Sequence, residues 1–151
     1  MTANKLSVIK FEKITGIKKQ QDFLFELLKK RKHNISHLSM PTRNEHNKFV
    51  VNHPYRVWYL IERNNQYIGS IYILKNNCIG VDILNDGYEI LSTVFNFIYS
   101  RFKPLKEIKS ERPRNFFINV SPNNKKIKSE LDKIGFKKIQ VTYALDLASK
   151  N

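Results

Sequence analysis

The sequence predicts a single mixed α/β (α+β) domain covering residues 1–151, and three observations carry that expectation. The length of 151 residues suits one compact domain and leaves little material for a second core. Apolar types make up 41% and aromatics 12%, enough to build an interior and too much for a disordered chain. Strand-like runs between residues 56 and 84 are bordered by segments whose apolar residues recur at helical spacing, the alternation of periods that a domain of sheet and helices requires.

Along the chain, residues 6–12 alternate around Val8, Ile9 and Phe11 as a short first strand. From Thr15 the period changes: Ile17, Phe23, Leu24, Leu27 and Leu28 share a helical face, and the run from Lys29 to Lys32 complements a helix C-terminus, which predicts a helix over about 17–31. Thr42 and Glu45 stand three apart as a capping box, opening a second helix over about 43–52 that Pro54 ends. Val57 to Ile61, Tyr67 to Leu74 and Cys78 to Leu84 are β-branched and aromatic, and Asn64-Asn65 and Asn76-Asn77 supply turns, so residues 56–84 read as an antiparallel meander. Tyr88, Leu91, Val94, Phe95, Ile98 and Phe102 line a helix over about 87–102. After a basic loop bounded by Pro104 and Pro113, Phe116 to Val120 is a short strand. Ile127, Leu131 and Ile134 mark a helix over about 123–134 stopped by Gly135, and Lys137 to Leu147 closes the chain as a strand with Ile139, Val141, Tyr143 and Leu145 on one side.

Charge bounds the partners. Twenty-seven Lys and Arg against thirteen Asp and Glu give +14, a surface that attracts anions such as phosphorylated cofactors, nucleic acid or acidic membranes. Cys78 is the single cysteine, which excludes an internal disulfide, offers no cysteine-based zinc site and makes the cytoplasm the expected compartment. No apolar run approaches a membrane span, and the first residues lack the apolar stretch of an export signal, so no membrane partner is expected.

Two stretches carry a resemblance. Asn119-Val120-Ser121-Pro122-Asn123-Asn124-Lys125-Lys126-Ile127, followed after a helix by Ile134-Gly135-Phe136-Lys137-Lys138, is similar to the strand, Asn-bearing helix start and terminal Gly-Phe of the GNAT superfamily of acyl-CoA-dependent N-acetyltransferases. Tyr59 to Leu84 resembles the same family's strand-turn-strand segment, in which a pair like Ile68-Gly69 opens the middle strand. Glu45-His46 leading a helix into Trp58-Tyr59-Leu60-Ile61 further resembles the branch that acts on nucleotide-linked amino-sugars.

The resemblance implies a twisted, mostly antiparallel sheet of about six or seven strands flanked by about four helices. It also implies acetyl-CoA as co-substrate, no metal, a small-molecule amine as acceptor, and a monomer or homodimer. Acetyl transfer needs a thioester held still, an amine stripped of its proton and a thiolate protonated as it leaves. By resemblance the pantetheine arm lies along Val81, Asp82, Ile83 and Leu84, with the pyrophosphate at the helix start near Gly87 and Tyr88. Asn119 and Asn123 match the Asn-bearing segment, His46 is the first candidate for the catalytic base, and His37, Trp58 and Tyr59 line the acceptor side. Glu62 and Asp82 form a second acid-base couple if both face the cleft, although solvent-facing alternation is the simpler account of Asp82.

Two departures are visible. Leu84-Asn85-Asp86-Gly87-Tyr88-Glu89 keeps one glycine, carries no Arg and sets two carboxylates where phosphate should rest; Leu131 stands where many members place the Tyr that protonates the thiolate. Tyr143 and Tyr88 are the candidate replacements, and basic residues from elsewhere, among them Lys125, Lys126, Lys128, Arg112 and Arg114, the candidate phosphate ligands. Asn123 also suits a helix N-cap. The alternative expectation is a non-enzymatic binding module or a basic nucleic-acid binder, against which stands the lack of a helix-turn-helix, zinc-knuckle or aromatic-interleaved motif.

Overall fold

A computed structural model of the chain describes residues 7–31, 39–84 and 88–146. The elements run β1 (Ile9–Lys13), α1 (Lys18–Lys29), α2 (Arg43–Val51), β2 (Val57–Arg63), β3 (Gln66–Ile73), β4 (Cys78–Ile83), a single 3-10 turn (Tyr88–Ile90), α3 (Leu91–Arg101), β5 (Phe117–Ile118) and α4 (Lys125–Ile134). Strand order follows the chain, β1-β2-β3-β4-β5. The first four strands pair antiparallel, and β5 joins β4 in parallel.

Local chemistry sets the boundaries. Asn64 and Asn65 both adopt left-handed backbone, φ 52° and 65°, which twists the two-residue β2–β3 hairpin in the sense its strands demand. Thr42 and Glu45 form the reciprocal capping box that starts α2. α4 is opened by Asn124, whose side chain accepts from the Ile127 amide, so Asn123 lies one residue before the cap. At its end Gly135 takes φ 107°, and the Gly135 and Phe136 amides donate to the Leu131 carbonyl.

Both faces of the sheet are covered, which is why Leu60 and Ile61, successive and pointing opposite ways, are both fully buried. On one face Ile61, Ile71, Ile73, Ile79 and Ile83 pack against α3 and α4 through Leu91, Val94, Phe95, Ile98, Ile127 and Leu131. On the other, Trp58 and Leu60 pack with Leu24, Leu27 and Val50 of α1 and α2. Completely buried Asn77 fastens the connection ahead of β5. Its amide donates to the Leu105 and Pro113 carbonyls, each at 2.9 Å, its Oδ1 accepts from the Leu105 amide at 2.8 Å, and its carbonyl accepts from the Phe117 amide at 3.2 Å.

Two expectations need correction. The sheet has five strands among the described residues, short of the six or seven expected, and β5 is two residues long. Residues 137–146, expected as the closing strand, enter no ladder with any described residue. No described helix is long and apolar enough to cross a membrane.

Candidate functional site

The site is a divergence of two strands. β4 and β5 pair only through Cys78 with Phe117 and Ile79 with Ile118. β4 then continues over residues 80–83 with no partner strand on its β5 side among the described residues. A strand edge inside a sheet normally satisfies its amides and carbonyls along its length, so this stretch presents main-chain groups free to bind something else. Parallel strands run out at the same end, and the helices that follow them, α3 and α4, both begin there; α4 packs on the 3-10 turn that precedes α3. Helix N-termini carry unpaired amides and positive dipole ends. That of α3 has no side-chain cap and no acidic residue in its first turn, and α4 opens on Lys125, Lys126 and Lys128. The open end is therefore suited to an anion.

Glycines shape the strands that lead into the gap. β3 carries an extra residue, Ile68, opposite the Ile61–Glu62 step of β2, and bends there. A Cβ on the neighbouring Gly69 would stand 2.3 Å from the Asp82 carbonyl oxygen, a contact only glycine avoids. A Cβ on Gly80 would lie 1.9 Å from the Tyr72 ring. The hydroxyl end of the Tyr72 ring thus lies against Gly80, the first β4 residue beyond the last β4–β5 pair, and the ring is stacked on Tyr55 at 4.2 Å. Burial raises the pKa of the Tyr72 hydroxyl, and that of Tyr55 to about 12, so both remain protonated.

Asp82 is not solvent-facing. Its carboxylate accepts from Arg31 at the end of α1, with Nε at 2.9 Å and Nη2 at 2.8 Å. Burial nevertheless holds the Asp82 carboxyl above its ordinary range, the Arg31 charge offsetting only part of that rise. Glu62 does not meet it: Glu62 lies on β2 opposite Tyr67, Asp82 on β4 opposite Ser70, and β3 runs between. The couple considered from the sequence is therefore excluded by strand order. Trp58 and Tyr59 likewise point to opposite faces. Trp58 is buried among Phe49, His53 and Tyr55, while Tyr59 packs on Phe97 of α3 at 5.1 Å, so the two do not line one pocket.

The remaining candidates scatter. His46 is 7% exposed, its ring edge-on to Phe25 at 5.3 Å and its Nδ1 without a hydrogen-bond partner. Burial pushes the imidazole below its ordinary pKa, the Arg43 charge adding to this and the nearby Asn47 amide opposing it. Val81 and Ile83 turn toward the α3 core, and the Leu84 amide donates to the Ile68 carbonyl. Tyr88 opens the 3-10 turn and packs at the edge of that core. Asn119 reaches from the β5 side to the Cys78 sulfur at 3.6 Å, spanning the closed end of the gap. Exposed Asn123 has its amide on Ser121 Oγ. Tyr143 is 90% exposed on the unpaired segment, so the expected inward strand does not carry it to the gap. His37, Asp86 and Gly87 lie outside the described residues.

The two departures from the GNAT pattern resolve differently. Glu89 is engaged by Arg63 of β2, which draws one of the two carboxylates into an ion pair. Leu131 is an apolar core residue with no proton to give. Arg112 is committed to the Lys106 and Lys75 carbonyls, bracing its own loop, and Arg114 meets Glu107. A groove of about 680 Å³ opens between α1 and α2, lined by Lys18, Gln21, Asp22, Arg43 and Asn47. Its charged walls are tied together through Asp22, which sits 3.2 Å from Arg43 and 4.0 Å from Lys18, and it holds no nucleophile, so the strand divergence is the better candidate.

No family model and no curated protein matches the sequence. Solved structures do match. Aminoglycoside N-acetyltransferase AAC(6')-Iy, solved with CoA, superimposes with a TM-score of 0.58 at 11% identity, covering 96% of this chain and 99% of its own. The chain carries the GNAT-like acetyltransferase fold. A "possible acetyltransferase" of Clostridium difficile 630 gives 0.57 at 14% identity over 95% of this chain and 99% of its own. A "predicted acetyltransferase" of Clostridium acetobutylicum, solved with acetyl-CoA, gives 0.52 at 16% over 94% and 98%.

Proposed function

We propose that the protein is an N-acetyltransferase of the GNAT superfamily, moving the acetyl group of acetyl-CoA to the amine of a small molecule. One observation carries this: β4 and β5 part after two residue pairs, leaving the β4 edge over residues 80–83 bare beside two helix N-termini. A pantetheine arm offers amides to such an edge, and a pyrophosphate suits the helix starts and Lys125, Lys126 and Lys128. The residues present fit that group, and the pairing of Glu89 with Arg63 supports this by diverting a carboxylate that would repel it. Acetyl-CoA supplies an activated thioester; the chain supplies position and proton transfer.

In this reading the amine nitrogen forms a bond to the thioester carbonyl carbon, the carbon–sulfur bond breaks, and the thiolate takes a proton. Tyr72 is the donor: its hydroxyl end lies against the first unpaired β4 residue and stays protonated. His46, the base expected from the resemblance, keeps its Nδ1 covered and unpartnered between α1 and α2, so in this reading the amine gives its proton to solvent water at the opening. The finer acceptor reading, a nucleotide-linked amino-sugar, rests on the Glu45-His46 and Trp58 to Ile61 resemblance and on a surface of +14 that draws phosphorylated substrates.

Calorimetry at low salt tests the donor. One saturable site for acetyl-CoA and for free CoA is expected, and no heat with either overturns the proposal. Thiol release with a panel of amines then ranks acceptors. Tyr72→Phe should lower kcat about 10²-fold or more with little change in KM for acetyl-CoA, and should remove the alkaline limb of the pH profile.

A further inference from the structure

We infer that the narrow end of the sheet, where β4 begins, is a surface that binds the sugar-phosphate backbone of nucleic acid. This stands independently of the transferase reading, because the opening lies at the other end of β4, six residues and so about 20 Å away. Three stretches far apart in the chain meet here. Arg56 Nη1 donates to the Lys103 carbonyl at 2.9 Å, and Arg112 donates from Nη1 to the Lys75 carbonyl at 3.2 Å and from Nε to the Lys106 carbonyl at 2.6 Å. Asn77 holds both Leu105 and Pro113. A guanidinium bonded to a carbonyl keeps its full charge, so these contacts gather cations without neutralising them.

The charge is in surplus at this end and balanced elsewhere. Over residues 101–114 the sequence sets six Lys and Arg against Glu107 and Glu111, and Arg56 and Lys75 join them. Arg114 faces Glu107 at 3.7 Å, while Lys75, Lys103, Lys106 and Lys109 are exposed and meet no carboxylate among the described residues. On the α1 and α2 side the cations are matched: Lys18 and Arg43 share Asp22, Lys29 pairs with Glu26, and Arg31 holds Asp82. In a chain of +14, a surplus left unpaired at one end concentrates the pull on anions there.

The arrangement fits a polymer of phosphates. Lys103, Lys106, Lys109 and Arg112 recur at every third position, so one cation follows another along the loop. The loop is also held in shape: Ile108 and Arg112 exchange main-chain bonds of 2.9 and 2.8 Å around a turn in which Ser110 takes φ 67°, and Asn77 is fully buried at its base. Cations fixed in advance lose little freedom on binding. A membrane surface would need apolar side chains to bury beside the charge. Here the Arg56 guanidinium lies over the Phe102 ring and Leu105 is half-buried, which leaves Ile108 as the exposed large apolar residue of the loop. With Phe102 so covered, the loop offers cations rather than stacking rings, and the binding expected is independent of base sequence.

Fluorescence anisotropy with a labelled single-stranded RNA of mixed sequence tests this. Association is expected at about 50 mM salt, with log K falling against log salt at a slope of about −3, as about four phosphate contacts at roughly −0.7 each would give. Lys103→Gln with Lys106→Gln and Lys109→Gln, all exposed, should weaken binding about tenfold or more and bring the slope to about −1, with the thermal midpoint unchanged. Lys10→Gln with Lys29→Gln and Lys30→Gln removes as much charge away from this end and should leave the affinity within about twofold. No association at low salt, or unchanged affinity in the loop variant, overturns the inference. So do equal losses in the two triple variants, which mean a diffuse effect of charge, and displacement of the RNA by acetyl-CoA, which puts it at the opening. Tighter capture by vesicles of phosphatidylcholine and phosphatidylserine than by RNA overturns it as well.

Discussion

The sheet is built in two unlike halves. From β1 to β4 every strand is paired along its length, with seven residue pairs between β2 and β3 alone, and both faces of this half are buried. From β4 to β5 there are two pairs and then none. The first half is what folding would produce if stability were the only requirement. The second leaves main-chain groups unmatched at an opening bordered by helix N-termini and lysines, and such incompleteness persists where it is used.

Core substitutions should separate the halves most strongly. Ile71→Ala, at a fully buried position in the meander, is expected to cost about 2–5 kcal/mol, whereas Ile118→Ala in half-buried β5 should cost under about 1.5, both read from denaturant midpoints. Equal losses would break the comparison. Gly80→Ala lies on the border. Its Cβ would stand 1.9 Å from the Tyr72 ring, so a stability loss of about 1–3 kcal/mol is expected, together with weakened acetyl-CoA binding as Tyr72 is displaced.

Arg31→Met should cost about 1–3 kcal/mol near neutral pH by leaving Asp82 unpaired. The sign follows from the raised carboxyl: the folded chain holds the Asp82 proton more tightly than the unfolded chain. Stability is therefore fully present below the ordinary value of 3.8 and is lost as pH rises through the folded pKa. Without Arg31 that loss should steepen, and adding Asp82→Asn should abolish it, which urea titrations between pH 3 and 8 would show. The smallest effects are the caps. Thr42→Ala and Asn124→Ala each remove one helix N-cap and should lower stability by about 1 kcal/mol, with only the α4 variant also weakening anion binding at the opening.

What could be read in advance was what nearby residues decide together. The Thr42–Glu45 box, the Asn64-Asn65 hairpin and the Gly135 stop are set within a few positions, and the structure contains each. The order of most strands and helices, and with it the mixed α/β class, followed from periodicity, whereas the arrangement of the sheet was implied by the resemblance. Contacts between distant residues were not legible: Arg31 reaches Asp82 across 51 positions, and alternation alone left Asp82 looking exposed. Tyr72 was missed for a related reason. In the sequence it is one more aromatic in a strand, and the only hint was the glycine at position 80, a gap whose filler becomes visible once β3 and β4 are in register. The last strand was not recovered: its alternation is that of a strand, yet residues 137–146 pair with no described residue, and a period within the segment carries no information about a partner.

Asn77 acts as the fulcrum of the vee. A single interior carboxamide clamps the far loop to the narrow end, so the aperture at the wide end is fixed by a residue that touches nothing passing through it. Evolution could therefore widen or narrow the mouth for a different guest by altering the connecting loop, while the lining of the channel stayed as it is.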